Sequence, residues 1–369
     1  MQGMSSAPYG LSPHPIVQAP MAGGASCPPL AAAVCEAGAL GFLAGGYKTA
    51  DGIYQEIKQL RALTRRPFGV NLFMPQTGYV DQAAVEAYRG QLAGEASWYE
   101  LSLADEDIIG TSDDGYDAKL AILLEDPVPV VSFTFGCPAP SVLAALRKAG
   151  TYSVVTVTSV DEARAAQAAG ADAVCVQGVE AGGHQGTHRD DPQADGTAGV
   201  GLLALVAQVR EAVALPIIAA GGLMRGSQIA ALLAAGAEAA QLGTAFLTCP
   251  ESGAHPLHKQ ALTDPLFPHT ELTRAFSGRP ARGLVNRFMR EHGPYAPAAY
   301  PQIHHMTAGL RKAAAAAGDP QGMALWAGQG HRLARALPAG ELVEVLAAEL
   351  AEARSALKPM NKMNHRSTS

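Results

Sequence analysis

Eight short apolar runs, each followed by an alanine-rich stretch of helical period, constrain this 369-residue chain more than any other feature. They are Pro15–Ala19, Ala39–Leu43, Pro67–Phe73, Val128–Thr134, Tyr152–Val157, Ala171–Val176, Pro216–Ala220 and Ala237–Leu242. The runs lack polar/apolar alternation, so each reads as a strand buried on both faces, as in a parallel sheet covered by helices. Helix candidates such as Val160–Ala169 and Ser227–Ala235 lie between them, and Gly170 and Gly236 suit the ends of those helices. Eight β–α repeats predict an α/β protein closed as a (β/α)8 TIM barrel. A doubly wound open sheet is the rival topology, but no Gly-x-Gly-x-x-Gly follows the first run.

Two stretches interrupt the repeat. Asp81–Asp126 is too long for one helix and carries Trp98 and Tyr99, which suggests a helical elaboration after the third run. Pro250–His305 is rich in Pro, His, Arg and aromatics and reads as a lid or substrate segment. The barrel is then expected to comprise 1–249 and 306–357, with helices at Leu310–Ala317 and Ala339–Ala356, leaving 358–369 as a polar tail. A chain with 48% hydrophobic and 16% charged residues can bury one large core plus such additions.

Composition removes several function classes. With 27 Lys+Arg against 33 Asp+Glu and no basic block, nucleic acid is not an expected partner. Met1–His14 has no cationic segment leading into an apolar one, and no run of eighteen apolar residues occurs, so no membrane association is expected and the location is read as cytoplasmic. Cys27, Cys35, Cys137, Cys175 and Cys249 are odd in number and scattered without a Cys-x-x-Cys pair, which reads as reduced thiols rather than bridges or a zinc site.

The chemistry concentrates in loops after the runs. Gln177-Gly-Val-Glu-Ala-Gly-Gly-His184-Gln-Gly186 places one imidazole among glycines directly behind a buried strand, where backbone N–H groups can approach a ligand. Ala219-Ala-Gly-Gly222 and Gln241-Leu-Gly-Thr244 stand behind the seventh and eighth runs, where barrels of this kind often hold a phosphate. A plain tight turn is the bland reading of Gly221 and Gly222. Without a Walker lysine motif for a triphosphate, flavin mononucleotide (FMN) is the natural occupant. Asn71 and Gln177 offer amides that could donate and accept along the pyrimidine edge of its ring; helix capping and a bond to a loop carbonyl are their bland alternatives. Pro20-Met-Ala-Gly-Gly24 is a third close-approach loop, in which Met21 could line the ring.

Together, Gln18–Gly24, Pro67–Phe73, Val131–Gly136, Glu180–Gly186, Gln241–Phe246 and Phe276-Ser-Gly-Arg-Pro-Ala-Arg282 resemble nitronate monooxygenase of the bacterial class I type, over about Pro15–Ala356. The resemblance implies an FMN barrel that uses dioxygen to convert small anionic alkyl nitronates, such as propionate 3-nitronate, into carbonyl compounds plus nitrite or nitrate. It places FMN contacts on Met21, Asn71, Gln177, Gly182, Gly222 and the run Gln241, Leu242, Gly243 and Thr244, and makes His184 the active-site histidine. Relatives often carry tyrosines and a lysine near substrate in the segment of Tyr300–Arg311; here Tyr300 is followed by His304, His305 and Arg311.

An unprotonated His184 could remove the α-proton of a neutral nitroalkane, or donate a hydrogen bond to the nitro oxygens of a nitronate. A loop histidine bonded to a nearby carbonyl is its bland alternative. His188 lies four residues on, but Gly186 and Thr187 break a helical metal motif, so no metal is expected. The arginines of Arg274–Arg287 read equally as anion binders or as solvated charges. Two further functions compete: an NADH-dependent FMN enoyl-acyl-carrier-protein reductase on the same barrel, and a flavin store or sensor without turnover.

Overall fold

The computed structural model describes residues 10–76, 78, 80–103, 113–190 and 199–356, so the expected tail at 358–369 lies outside the described residues. Its strands are β1 (Ile16–Gln18), β2 (Phe42–Ala44), β3 (Gly69–Phe73), β4 (Val130–Thr134), β5 (Tyr152–Val157), β6 (Ala173–Gln177), β7 (Gly183–His184), β8 (Ile217–Ala220), β9 (Ala239–Leu242), β10 (Thr270–Thr273) and β11 (Ala281–Leu284). Eight of them form one parallel sheet in the order β1-β9-β8-β6-β5-β4-β3-β2. A parallel bridge between Val17 and Leu40 brings the two ends together, and the sheet becomes a TIM barrel. Six of the eight apolar runs contain one of these strands whole, and β2 and β6 each extend one residue past their run, to Ala44 and Gln177.

Alternation along the strands divides the core in two. Val17, Phe42, Val130, Val154, Cys175, Ile218 and Ala239 cluster inside the barrel. Their neighbours in sequence, among them Ile16, Leu43, Val131, Val155, Val174 and Ala240, pack with the surrounding helices. Gly69 has a steric reason: a Cβ there would lie 2.2 Å from the Phe42 ring, which fills the interior.

The last helix, Ala339–Ala356, buries Leu342, Val343, Leu346 and Leu350 in that outer layer. It lies so close to the helix Gly226–Ala234 that a Cβ on Gly226 would stand 2.3 Å from the Leu346 carbonyl oxygen. The Gly226 N–H donates to Glu349 at 2.7 Å across the same contact.

A second layer joins the two stretches that interrupt the repeat. The helices Gln82–Gln91 and Ala93–Trp98, with Leu92 between them, supply Val85, Tyr88, Leu92 and Ala96 to a cluster that also holds Phe276, Phe288, Ile303, Met306 and Leu310. Tyr88 donates to the Ala275 carbonyl at 2.8 Å, and Arg287 grips both oxygens of buried Glu95 at 2.7 Å. A small antiparallel sheet, β10-β11-β7, ties this layer to the loop after β6 by pairing Ala281 with His184. Among the described residues no helix is long and apolar enough to cross a membrane.

Gly226→Val forces a branched side chain into the backbone of the last helix. Denaturant unfolding should show a loss of about 1–3 kcal/mol; unchanged stability would contradict the close approach.

Candidate active site

The same alternation builds the site. Residues that face the barrel interior become polar at the carboxyl ends of the strands: Asn71, Ser132 and Thr134, Thr156, Gln177 and Gln241 floor a cavity of about 370 Å³. Met21, Gly182, His184, Gly222, Gly243 and Thr244 line that cavity as well. Leu242 does not. One position past Gln241, its side chain points the other way, and it is 1% exposed within the outer core. Only its backbone reaches the rim, where its carbonyl accepts from the Ala19 N–H at 2.8 Å.

One end of the cavity is a set of unused donors. The N–H groups of Gly221, Gly222, Leu223, Gly243 and Thr244 have no hydrogen-bond acceptor among the described residues, and all five residues line the cavity. Gly222 is held at φ 66°, where glycine is favoured, and a Cβ on Gly243 would meet only Ala19 and Met21 at ordinary contact distance. Across from them packs the segment Ala327–Gly330: a Cβ on Gly182 would strike Gly328 N at 2.5 Å, and Gly328 donates to Thr244 Oγ1 at 2.9 Å. The Thr244 hydroxyl accepts that bond, so its own proton is available to a ligand. Converging N–H donors with no internal acceptor fit a phosphate or another oxyanion.

The two amides behave differently. Gln177 is engaged by its own loop, donating to the His184 carbonyl at 3.1 Å and accepting from the Gly186 N–H at 2.7 Å. It shapes the histidine loop, as its bland alternative had it. Asn71 donates to Ser132 Oγ at 2.9 Å and Thr134 Oγ1 at 3.0 Å, which leaves its carbonyl oxygen free to accept. Gln241 has only a weak acceptor, Cys175 Sγ, at 3.3 Å.

At the other end His184 sits edge-on to Phe135 and Tyr300 and close to Trp326, with centroids 5.5–5.8 Å away. Its Nε2 lies 2.9 Å from Ser277 Oγ. Burial, and then the charges of Arg279 and Arg311, push its pKa down to about 3, so the imidazole is neutral near pH 7. Arg279 is 1% exposed; it bonds Gln76 Oε1, the Gln185 carbonyl and Thr187, and lies 4.2 Å over the Phe135 ring. Arg311 lines the cavity and is held by Thr307 and the His304 carbonyl. Among the described residues neither guanidinium touches a carboxylate. Arg274, by contrast, pairs with Asp190 at 2.5 Å.

Sequence reading gave no role to Tyr47, Ser277, His258 or Trp326. Tyr47 follows Gly45-Gly46 at the rim of β2, a glycine pair like that at 221–222, and this was the available signal. Its backbone is at φ 65°, its N–H is held by Asp114 at 2.8 Å, its ring stacks on His304 at 4.1 Å, and its hydroxyl lies 3.2 Å from that of Tyr300. His258 lines the cavity and bonds the Trp326 carbonyl at 2.9 Å. His188 is tied to the Thr156 carbonyl and to Glu162, away from any metal-like grouping with His184.

A parallel barrel with a polar, histidine-bearing cavity at the carboxyl rim defines a TIM-barrel enzyme. The family model for nitronate monooxygenase matches residues 6–349. A curated nitronate monooxygenase from Paraburkholderia phytofirmans is 42% identical over 93% of this chain and 94% of its own length. Among solved structures, nitroalkane oxidase from Streptomyces ansochromogenes is 72% identical, with a TM-score of 0.92, covering 95% of this chain and all of the other. FabK from Thermotoga maritima is more distant, at 31% identity and a TM-score of 0.70 over 93% of this chain and 94% of the other. The chain belongs to the nitronate monooxygenase family and is an oxidoreductase.

Three half-buried histidines of the cavity carry a consequence for stability. His184, His258 and His304 have pKa values pushed down to about 3, about 4 and about 2, in each case first by burial. Below about pH 6.5 the unfolded chain therefore takes up protons that the folded chain refuses, so stability from these sites is complete above that pH and is lost as pH falls toward the folded values. The melting temperature should drop between about pH 7 and about pH 5; a flat or rising profile would contradict the neutral imidazoles.

Proposed function

We propose that this chain is an FMN-dependent enzyme that oxidises small nitronates with dioxygen, giving a carbonyl compound plus nitrite or nitrate, and that it also accepts neutral nitroalkanes. The observation that carries this reading is the polarity of the cavity: unused main-chain donors at one end, and a neutral imidazole beside a carboxylate-free guanidinium at the other. The N–H groups beside Gly222 and Gly243, with the Thr244 hydroxyl, would hold the FMN phosphate. Asn71 Oδ1 would accept from the pyrimidine edge of the ring, and Met21 would lie against it; Leu242 is left with backbone contact only. When bound, FMN supplies single-electron transfer from nitronate to dioxygen.

His184 would act as the catalytic residue. As a neutral imidazole in a desolvated site it can take the α-proton of a nitroalkane, and the 72% identity to a nitroalkane oxidase supports that use. A nitronate has already lost that proton, and for it the cationic wall contributed by Arg311 balances the negative charge. A carboxylate on the substrate, as in propionate 3-nitronate, would suit the same guanidinium. The free cysteines, of which Cys35, Cys175 and Cys249 are buried, fit a reducing compartment such as the cytoplasm.

The purified protein should be yellow, and anaerobic nitronate should bleach it whereas NADH should not. Rapid bleaching by NADH instead would favour the enoyl reductase reading, and full oxygen consumption by His184→Asn with a neutral nitroalkane would remove the histidine from the chemistry. Arg311→Leu should raise KM for propionate 3-nitronate about 10- to 100-fold, the size of a lost charge-assisted hydrogen bond. A simple alkyl nitronate, which loses only the balance of its nitro charge, should be affected less; equal effects on both would contradict a carboxylate contact.

A further inference from the structure

The segment Phe276-Ser-Gly-Arg279 is set against the histidine loop by β11 and lies behind the cavity wall, against His184, Phe135 and Trp326. Its serine has three hydrogen-bond partners. Ser277 Oγ donates to the Arg279 carbonyl at 3.2 Å and accepts the Arg279 N–H at 3.4 Å. The hydroxyl has one proton and two groups that could take it, the Arg279 carbonyl and a bare His184 Nε2. With the proton on the carbonyl, which would leave the serine bonded within its own turn, Ser277 accepts at the 2.9 Å contact with His184 Nε2 and the imidazole donates.

We propose that Ser277 is a positioning residue that fixes His184 as the Nε2–H tautomer and so makes Nδ1 the atom that accepts the substrate proton. His184 lines the cavity, and no described protein group meets its Nδ1. The step is a proton transfer without redox change: the α C–H bond of a nitroalkane breaks, the proton goes to Nδ1, and the electron pair stays on the substrate as nitronate. The resulting imidazolium keeps its Nε2–H on Ser277, whose own proton remains on the Arg279 carbonyl, so the charge forms against an acceptor already in place. The opposite tautomer would point a proton at the substrate carbon and could not act as base. Arg279 adds a second constraint, because its guanidinium bonds the Gln185 carbonyl and Thr187 and braces the loop from the far side.

This inference rests on the proposed use of nitroalkanes, but its first test does not. Protein isotope-labelled in its histidine nitrogens, with His184 assigned by its loss in His184→Asn, reports the tautomer directly by NMR. The expected spectrum shows a protonated Nε2 and an unprotonated Nδ1. In Ser277→Ala that preference should be lost, and in Ser277→Thr, which restores the hydroxyl, it should return. Turnover of nitroethane should fall on the order of tenfold in Ser277→Ala with little change in KM, while oxidation of the preformed nitronate changes less than about twofold. A protonated Nδ1 in the unsubstituted protein overturns the proposal, as does a Ser277→Ala protein that keeps the Nε2–H form. Should Ser277→Ala fail to fold, the unsubstituted spectrum and Ser277→Thr decide. If nitroethane proves not to be a substrate at all, the functional reading fails while the tautomer assignment still stands or falls on the spectra.

Discussion

Positive charge without a carboxylate partner, gathered around one cavity, is the interaction on which the rest of this site depends. Burying a guanidinium without a carboxylate is costly, and such groups are usually paired. Arg279 is buried and Arg311 half-buried, both with neutral acceptors only among the described residues, the first also lying against the faces of Phe135 and Tyr300. Their field adds to burial in keeping His184 unprotonated. The unused N–H donors beyond Gly222 and Gly243 carry partial positive charge of their own. A fold that leaves so much cationic character facing one space gains stability from an anion at each end, which is what a phosphate and a nitronate supply.

The barrel makes this arrangement by geometry. Eight parallel strands deliver all their carboxyl ends to one rim, and side chains alternate strictly between interior and exterior. Position along a strand therefore decides whether a residue can reach the ligand. Asn71 and Gln241 face inward and Leu242 outward, although all three stand within a residue or two of the rim. The second layer then covers the histidine from above. β11 pairs with the two-residue strand that carries His184, and Arg279 and Arg274 anchor the same loop through Thr187 and Asp190.

Much of the barrel was legible because its strands are rich in Val, Ile and Ala and lack alternation, a pattern that survives without knowledge of tertiary contacts. The glycine loops were legible for a similar reason, since close backbone approach requires that residue type locally. The resemblance carries Leu242 along with its neighbours as a ligand contact, whereas the two-residue period of the strand turns its side chain into the outer core. Gln177 was found in place but with its amide engaged by residues 184–186. The roles of Tyr47 and Ser277 come from partners 253 and 93 residues away, and no local pattern encodes them. The shared core between the 82–98 helices and the 270–310 region was hidden by the same distance: each piece alone reads only as an interruption of the repeat.

The most direct measurement is a crystal structure of the protein as purified, with its prosthetic group retained. The account predicts a phosphate within about 3.2 Å of the N–H groups of Gly222 and Gly243, with the flavin ring running from there toward Asn71 and one face open to His184. A flavin phosphate seated elsewhere, or those N–H groups closed onto protein acceptors, would contradict it.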